Sequence, residues 1–165
     1  MYTVRSVYNL AILQSLKAER CQVSGDWDSM WRSQVAPKVR NLIWRTGRGC
    51  LPTRDRLHVC YVQCPIHCSL CDAFKESEWH IFFDCPTSVA CWYVAGLSHI
   101  VHNRCMRFTI AGGVLMDICA RGTEEVLGRT LMVIWGVWQN GNNCVWNQTM
   151  SSTSQIVTDA HVLLA

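Results

Sequence analysis

A chain of 165 residues, half of them hydrophobic and only 16% charged, can fill one core and is too apolar to stay disordered. Its net charge of +3 is small, and no apolar run approaches the ~20 residues that cross a bilayer. The first twenty residues lack an apolar signal core and a small-residue cleavage site, so export is not expected and the eleven cysteines should stay reduced.

Taken in chain order, Ser6 is placed to cap a first helix over about Val7 to Glu19, where Val7, Leu10, Ala11 and Ile12 recur at helical spacing. A break at Gly25 and Asp26 follows, after which Trp27 and Trp31 stand one turn apart. Pro37 opens a helix to about Thr46, because its missing N–H costs nothing in a first turn. Val39, Leu42 and Ile43 form its inner face and Lys38, Arg40 and Arg45 its outer one, with Gly47 and Gly49 at the C-terminal cap. Leu51, Pro52 and Thr53 restart the chain; Thr53 caps a third helix with Asp55 in its first turn. Ser77 caps a short helix carrying His80, and Pro86 ends it just past Cys85. A further helix runs from about Thr87 to Ala95. Residues 98–123 show little periodicity, with a turn expected at Gly112 and Gly113. Glu124 to Trp138 is the clearest late helix, striped by Leu127, Leu131, Ile134 and Trp138, and the residues from Gln139 onward read as a polar loop. No alternation long enough for a sheet occurs. The expected fold is mainly α: a small helical domain stapled by one structural zinc, followed by a helix and a polar tail.

Charge is unevenly distributed. Residues 1–60 carry ten Lys and Arg against four Asp and Glu, whereas residues 61–100 carry one against four. Arg32, Lys38, Arg40, Arg45, Arg48, Arg54 and Arg56 lie close in sequence, opposed there only by Asp55. Such a stretch serves either as a phosphate-contacting face, with Trp44 available to stack, or as an ordinary solvated surface with Trp44 in the core.

Cys68, Cys71, His80 and Cys85 fall within 18 residues. Two cysteines three apart can place both thiolates on one turn, and a histidine and third cysteine five apart can complete a tetrahedron. Thiolate and imidazole suit zinc, and four protein ligands leave no open position for chemistry. The spacing alone leaves both zinc and four merely buried side chains open. Cys64 and His67 are rivals that could stand in for Cys68. Glu78 reads as a solvated first-turn carboxylate, while Phe82 and Trp92 read as a dry cover over the site. Cys91 with His99, or Cys105 with His102, could be imagined as thiolate–imidazole pairs, but nothing supplies an orienting third group or an oxyanion hole. Buried thiol is the default for these and for Cys21, Cys50, Cys60, Cys119 and Cys144.

Pro37, Lys38, Val39 and Arg40, then Trp44 and Arg45, then Leu51, Pro52 and Thr53, then Cys68 and Cys71, then His80, Phe82, Cys85 and Trp92 form an ordered series. That series resembles the zinc-binding domain following the reverse transcriptase in plant LINE-type (non-LTR) retroelements, over about residues 2 to 97. The opening Tyr2 to Tyr8 is similar as well. Leu131 to Trp146 resembles the Trp-rich connector to a ribonuclease H domain, except that Gly141 stands where an arginine is usual. The resemblance decides for zinc at Cys68, Cys71, His80 and Cys85, and divides the chain into a zinc-binding domain (1–97) and a helical connector with a polar tail (98–165). No paired-aspartate polymerase motif and no carboxylate set for two-metal hydrolysis is present. The resemblance therefore implies a non-catalytic retroelement fragment in an intracellular, reducing compartment, nuclear or cytoplasmic. Its expected partner is RNA or DNA held without sequence reading through residues 32–56, with no membrane and no small-molecule substrate. A spacer without nucleic-acid affinity is the alternative.

Overall fold

The computed structural model describes residues 23–72 and 75–162, so the helix expected over Val7 to Glu19 lies outside the described residues. The helices, in chain order, are α1 (Trp27–Arg32), α2 (Pro37–Gly47), α3 (Arg54–Val59), a π-helical turn (His80–Asp84), α4 (Pro86–Val94), α5 (Ser98–Cys105), α6 (Ala111–Arg121), α7 (Glu124–Asn147) and α8 (Thr153–Val162). Among the described residues the nearest approach to a sheet is an isolated antiparallel bridge between His67 and Lys75. The protein is mainly α-helical.

Most local signals in the first half act as their chemistry dictates, although Thr53 stands at the N-cap of α3 without a side-chain cap hydrogen bond. Asp26 accepts from the Ser29 N–H at 2.9 Å and so caps α1. Pro37 is the first residue of α2, whose Val39, Leu42 and Ile43 are buried. α2 ends in a Schellman motif: the N–H of Gly49 donates to the Thr46 carbonyl and that of Cys50 to the Arg45 carbonyl. Gly49 sits there at φ +58°, a conformation side chains with a Cβ resist.

The second half departs from expectation. Residues 98–123 form two helices, and Gly112 and Gly113 lie inside α6 rather than in a turn. Every residue from Ala111 to Cys119 is buried; a helix enclosed on all sides carries no amphipathic stripe to read. Gly112 is small because α6 crosses the end of α2 there, where an added Cβ would lie 3.0 Å from the Gly47 Cα. The stretch after Trp138 is not a loop either. α7 continues to Asn147 and reverses at Gln148 (φ +54°), and α8 packs Ile156, Val157 and Ala160 inward. Two polar or small positions that look like loop residues are interface positions. Asn140 is buried and accepts from the Ser151 N–H at 2.8 Å. At Gly141 an added Cβ would lie 3.4 Å from Ser69 Oγ and 3.7 Å from Ile81, so the usual arginine has no room against the metal-binding segment.

One apolar core runs through all of this, from Met30 and Val39 through Phe82 and Trp92 to Leu131, Ile134 and Ile156. Residues on both sides of position 97 share it.

Helix glycines separate by their neighbours. Gly→Ala in a helix interior ordinarily gains about 1 kcal/mol. Gly112→Ala should instead lower stability, because the methyl meets backbone, whereas Gly141→Ala should be neutral or stabilising and Gly141→Arg should destabilise. Urea unfolding of the zinc-loaded variants checks this; equal behaviour of the two alanine variants would contradict the packing described.

Candidate metal centre

The ligand atoms of Cys68, Cys71, His80 and Cys85 all lie within 4.8 Å of one another. The Cys68 thiol lies 3.9 Å from Cys85 Sγ, and Cys71 Sγ lies 3.3 Å from His80 Nε2. Tetrahedral zinc, with bonds of ~2.3 Å to sulfur and ~2.0 Å to nitrogen, requires sulfur–sulfur edges of ~3.8 Å and sulfur–nitrogen edges of ~3.5 Å. The cluster already has those dimensions along two edges. Cys68, His80 and Cys85 are buried and Cys71 half-buried, so the set suits one zinc ion shielded from solvent.

Two local devices make the cluster. The first is the tight turn over Cys68 to Asp72: the Leu70 N–H donates to Cys68 Sγ at 3.4 Å, and the Asp72 N–H to the Cys68 carbonyl at 2.8 Å. Asp72 adopts φ +56° to close it, a conformation aspartate tolerates better than most residues. The second is the π-helical turn. In an α-helix, residues five apart are rotated about 140° past a full turn and face different ways. Here the Cys85 N–H donates to the His80 carbonyl at 2.7 Å, an i to i+5 closure that brings His80 and Cys85 to the same side. Ser77 starts this helix by accepting from the His80 N–H at 3.1 Å, as its sequence position suggested. Nothing in the apolar pattern marks the π winding; the five-residue ligand spacing is its signal.

The wider turn leaves carbonyls that α4 satisfies. The Ser88 hydroxyl donates to the Ile81 carbonyl at 2.5 Å, and the Trp92 indole N–H to the Phe82 carbonyl at 2.8 Å. Phe83 stacks on Trp92 with ring centroids 6.4 Å apart. Phe82 and Trp92 are buried, which supplies the dry cover expected of them.

Cys85 is also the N-cap of α4. The donating Cys68 thiol, together with the N–H groups of Thr87 and Ser88, holds the Cys85 sulfur well below the ordinary thiol range, while Cys68 is driven up as the partner that keeps the proton. A thiolate at a helix N-terminus is ready for a metal.

Glu78 is not the solvated carboxylate expected. It accepts from the Leu51 N–H at 3.1 Å, and burial pushes it up to about 7 against that bond and the charge of Arg56. Glu76, which the sequence reading passed over, is buried and takes four contacts. It accepts from the N–H groups of Arg54 (3.2 Å) and Ser69 (3.1 Å) and from the Ser69 hydroxyl (3.2 Å), and pairs with the Arg54 side chain at 3.8 Å. Glu76 and Glu78 thus strap residues 51–54 to the metal-binding turn, and Glu76 serves the orphan N–H at the start of α3. From the other side, the Cys144 thiol of α7 donates to the Ser69 carbonyl at 3.1 Å.

The rivals for Cys68 stand apart. His67 is exposed, and its carbonyl accepts from Arg54 at 2.6 Å; the Cys64 carbonyl is 2.6 Å from His58 Nε2. Burial pushes the Cys91 and Cys105 thiols up to about 11, away from the thiolate form that a nucleophile uses. None of the ten described cysteines forms a disulfide.

The basic residues of 32–56 have different partners. Arg54 is spent on Glu76 and the His67 carbonyl. Arg40 donates to the Ser33 carbonyl at 3.2 Å, at the end of α1. Arg32 pairs with Asp28 in full solvent, and the Lys38 ammonium lies 5.0 Å over the Trp135 ring. Burial pushes the Cys50 thiol up against the charges of Arg45, Arg56 and Arg48, with Glu78 adding to the upward push. Arg48 also lies 5.7 Å over Trp44, which packs its other surface on the core.

The family described as zinc-binding in reverse transcriptase matches residues 2–92. The chain belongs to that family. A protein of Arabidopsis thaliana named "Putative ribonuclease H protein" is 23% identical over 91 residues, 55% of this chain. The chain spans 14% of that protein's length. No solved structure matches. Family and geometry agree: this is a zinc-binding domain rather than a polymerase, and no helix among the described residues is long and apolar enough to cross a membrane.

Purified protein should contain one zinc per chain. Cys68→Ser, and Cys71→Ser with His80→Ala, should lose it, while Cys64→Ser and His67→Ala keep it; metal analysis decides the ligand set. Structural zinc contributes ~10–16 kcal/mol in isolated finger peptides, so chelation should unfold the segment around residues 66–94, visible as lost helical circular dichroism.

Proposed function

We propose that this chain is a non-catalytic module of a retroelement polyprotein, in which Cys68, Cys71, His80 and Cys85 ligate one zinc, and that it associates with RNA or DNA through Arg45, Arg48 and Arg56. Residues 1–97 are its metal-binding part. Residues 98–165, which share its core, are the connector toward a neighbouring domain, of the ribonuclease H kind that the Arabidopsis protein's name suggests. Its place is a reducing intracellular compartment, where the thiols stay available to metal.

What supports nucleic-acid association is that the charges of Arg45, Arg48 and Arg56 all reach Cys50, just past the end of α2, with Glu78 the one carboxylate acting there, while Arg54 and Arg40 are committed to the fold. Phosphate is the partner that a surplus of guanidiniums over the one carboxylate beside them, Glu78, suits. Backbone contact of this sort reads no bases. Arg48 already lies over the ring of Trp44, so the indole face supports the guanidinium rather than a nucleobase. Arg32 pairs with Asp28 and Lys38 lies over Trp135, so neither is assigned to this patch.

A spacer role has its own support. The metal-binding turn is held by Glu76 and Glu78 on one side and by Cys144 of α7 on the other, a rigid mount for flanking domains. The two readings separate by titration of labelled single-stranded RNA at two salt concentrations. Binding should weaken with salt by about −0.7 in log–log slope per neutralised phosphate, and changing Arg45, Arg48 and Arg56 to Glu should remove roughly two units of that slope. Salt-insensitive binding, or no change in the triple variant, leaves the spacer role standing.

A further inference from the structure

A second cluster of arginines lies outside residues 32–56, where the sequence reading placed no site. Asp117, in the middle of α6, is 5% exposed and is met by three guanidiniums. Arg104 of α5 places Nε 3.2 Å from Oδ2; Arg121, one turn along α6, places Nε 3.2 Å from Oδ1; Arg107, from the α5–α6 connection, comes within 3.8 Å of Oδ1.

One guanidinium neutralises one carboxylate. Arg104 is the one built for it: its side chain is 18% exposed and also donates to the Ile100 carbonyl at 3.0 Å. Arg107 and Arg121 are 51% and 64% exposed, so two positive charges are left over at the surface. Three guanidiniums carry fifteen N–H donors, and a carboxylate accepts about four. Most of the donors therefore point elsewhere. Like charges gathered around one carboxylate leave a locally positive surface that draws anions. The Arg107 guanidinium is also steadied over the Phe108 ring at 5.6 Å, which fixes its plane. Asp84 is close enough to act on Cys105 of α5, but it forms no ion pair with this cluster.

We propose that Arg107 and Arg121, positioned by Asp117, bind a phosphate group. Guanidinium forks match phosphate oxygens two at a time and are preferred where planar, bidentate recognition matters. The phosphate is either free, as inorganic phosphate or a phosphomonoester, or part of a nucleic-acid backbone. α6 makes the second source geometrically reasonable. Near its N-terminal end Gly112 rests on Gly47, next to Arg48, and Asp117 lies five residues further along, about 7.5 Å at the helical rise of 1.5 Å.

The test uses the full, zinc-loaded chain. Inorganic phosphate should raise its melting temperature beyond the effect of chloride at matched ionic strength. Arg107→Gln with Arg121→Gln should weaken phosphate binding about tenfold or more, because hydrogen bonds to charged groups contribute ~1.5–3 kcal/mol each. Arg107→Lys with Arg121→Lys, which keeps charge and loses the forks, should fall between and serves if the glutamine variant folds poorly. A labelled single-stranded oligonucleotide is then titrated against the same variants. Weakened binding assigns the site to nucleic-acid backbone, and unchanged binding with lost phosphate affinity assigns it to free phosphate. No phosphate effect in the wild type, or one that survives both double variants, overturns the proposal. The inference does not rest on Arg45, Arg48 and Arg56: a chain that binds phosphate here yet no RNA sinks that reading and leaves this one.

Discussion

To share one ion, as their cluster suits them to do, His80 and Cys85 have to face the same point while lying five residues apart on one short helix, and the surrounding structure meets that constraint. An α-helix cannot meet it, because the two side chains would diverge by about 140°. The π-helical turn meets it by closing the Cys85 N–H onto the His80 carbonyl. The wider winding costs hydrogen bonds inside the turn, and α4 answers with Ser88 and Trp92. Because the turn ends at Cys85, the same residue becomes the cap of α4, and the helix N-terminus favours the sulfur as thiolate. Ligand geometry, helix start and thiol chemistry thus meet at a single residue.

The cover over this centre is equally specific. Glu76 and Glu78 lie between two of the ligands in sequence and reach back to the N–H groups of Leu51 and Arg54. The Leu-Pro-Thr segment and the metal-binding segment are therefore one structural unit, although about fifteen residues separate them in the chain. Chelation should loosen both. α7 adds the third wall, where Gly141 and Cys144 fit against Ser69. A larger side chain at 141 would separate the connector from the centre it leans on.

Arginine serves opposite purposes within this fold. Arg54 and Arg104 are mostly buried and answer buried carboxylates, which must be paired if they are to stay charged. Arg48, Arg107 and Arg121 are more exposed: Arg48 lies over Trp44, and Arg107 and Arg121 share Asp117 with Arg104. The distinction depends on which carboxylate folds beside which guanidinium.

The sequence by itself determined what depends on near neighbours. Pro37, Gly49, Ser77 and Pro86 act through backbone preferences that need no partner far along the chain, and each lies at the helix end its chemistry predicts. The clustering of Cys68, Cys71, His80 and Cys85 was legible for the same reason, since all lie within 18 residues. Only the tertiary structure decided the rest. α6 shows no stripe because it is enclosed on every side. Residues 139–147 read as loop because their partners, Ser69, Ile81 and Ser151, are remote or polar. The division of the arginines turned on carboxylates up to 22 positions away, as between Arg54 and Glu76. A residue type states what a side chain can bind; packing decides which partner comes within reach.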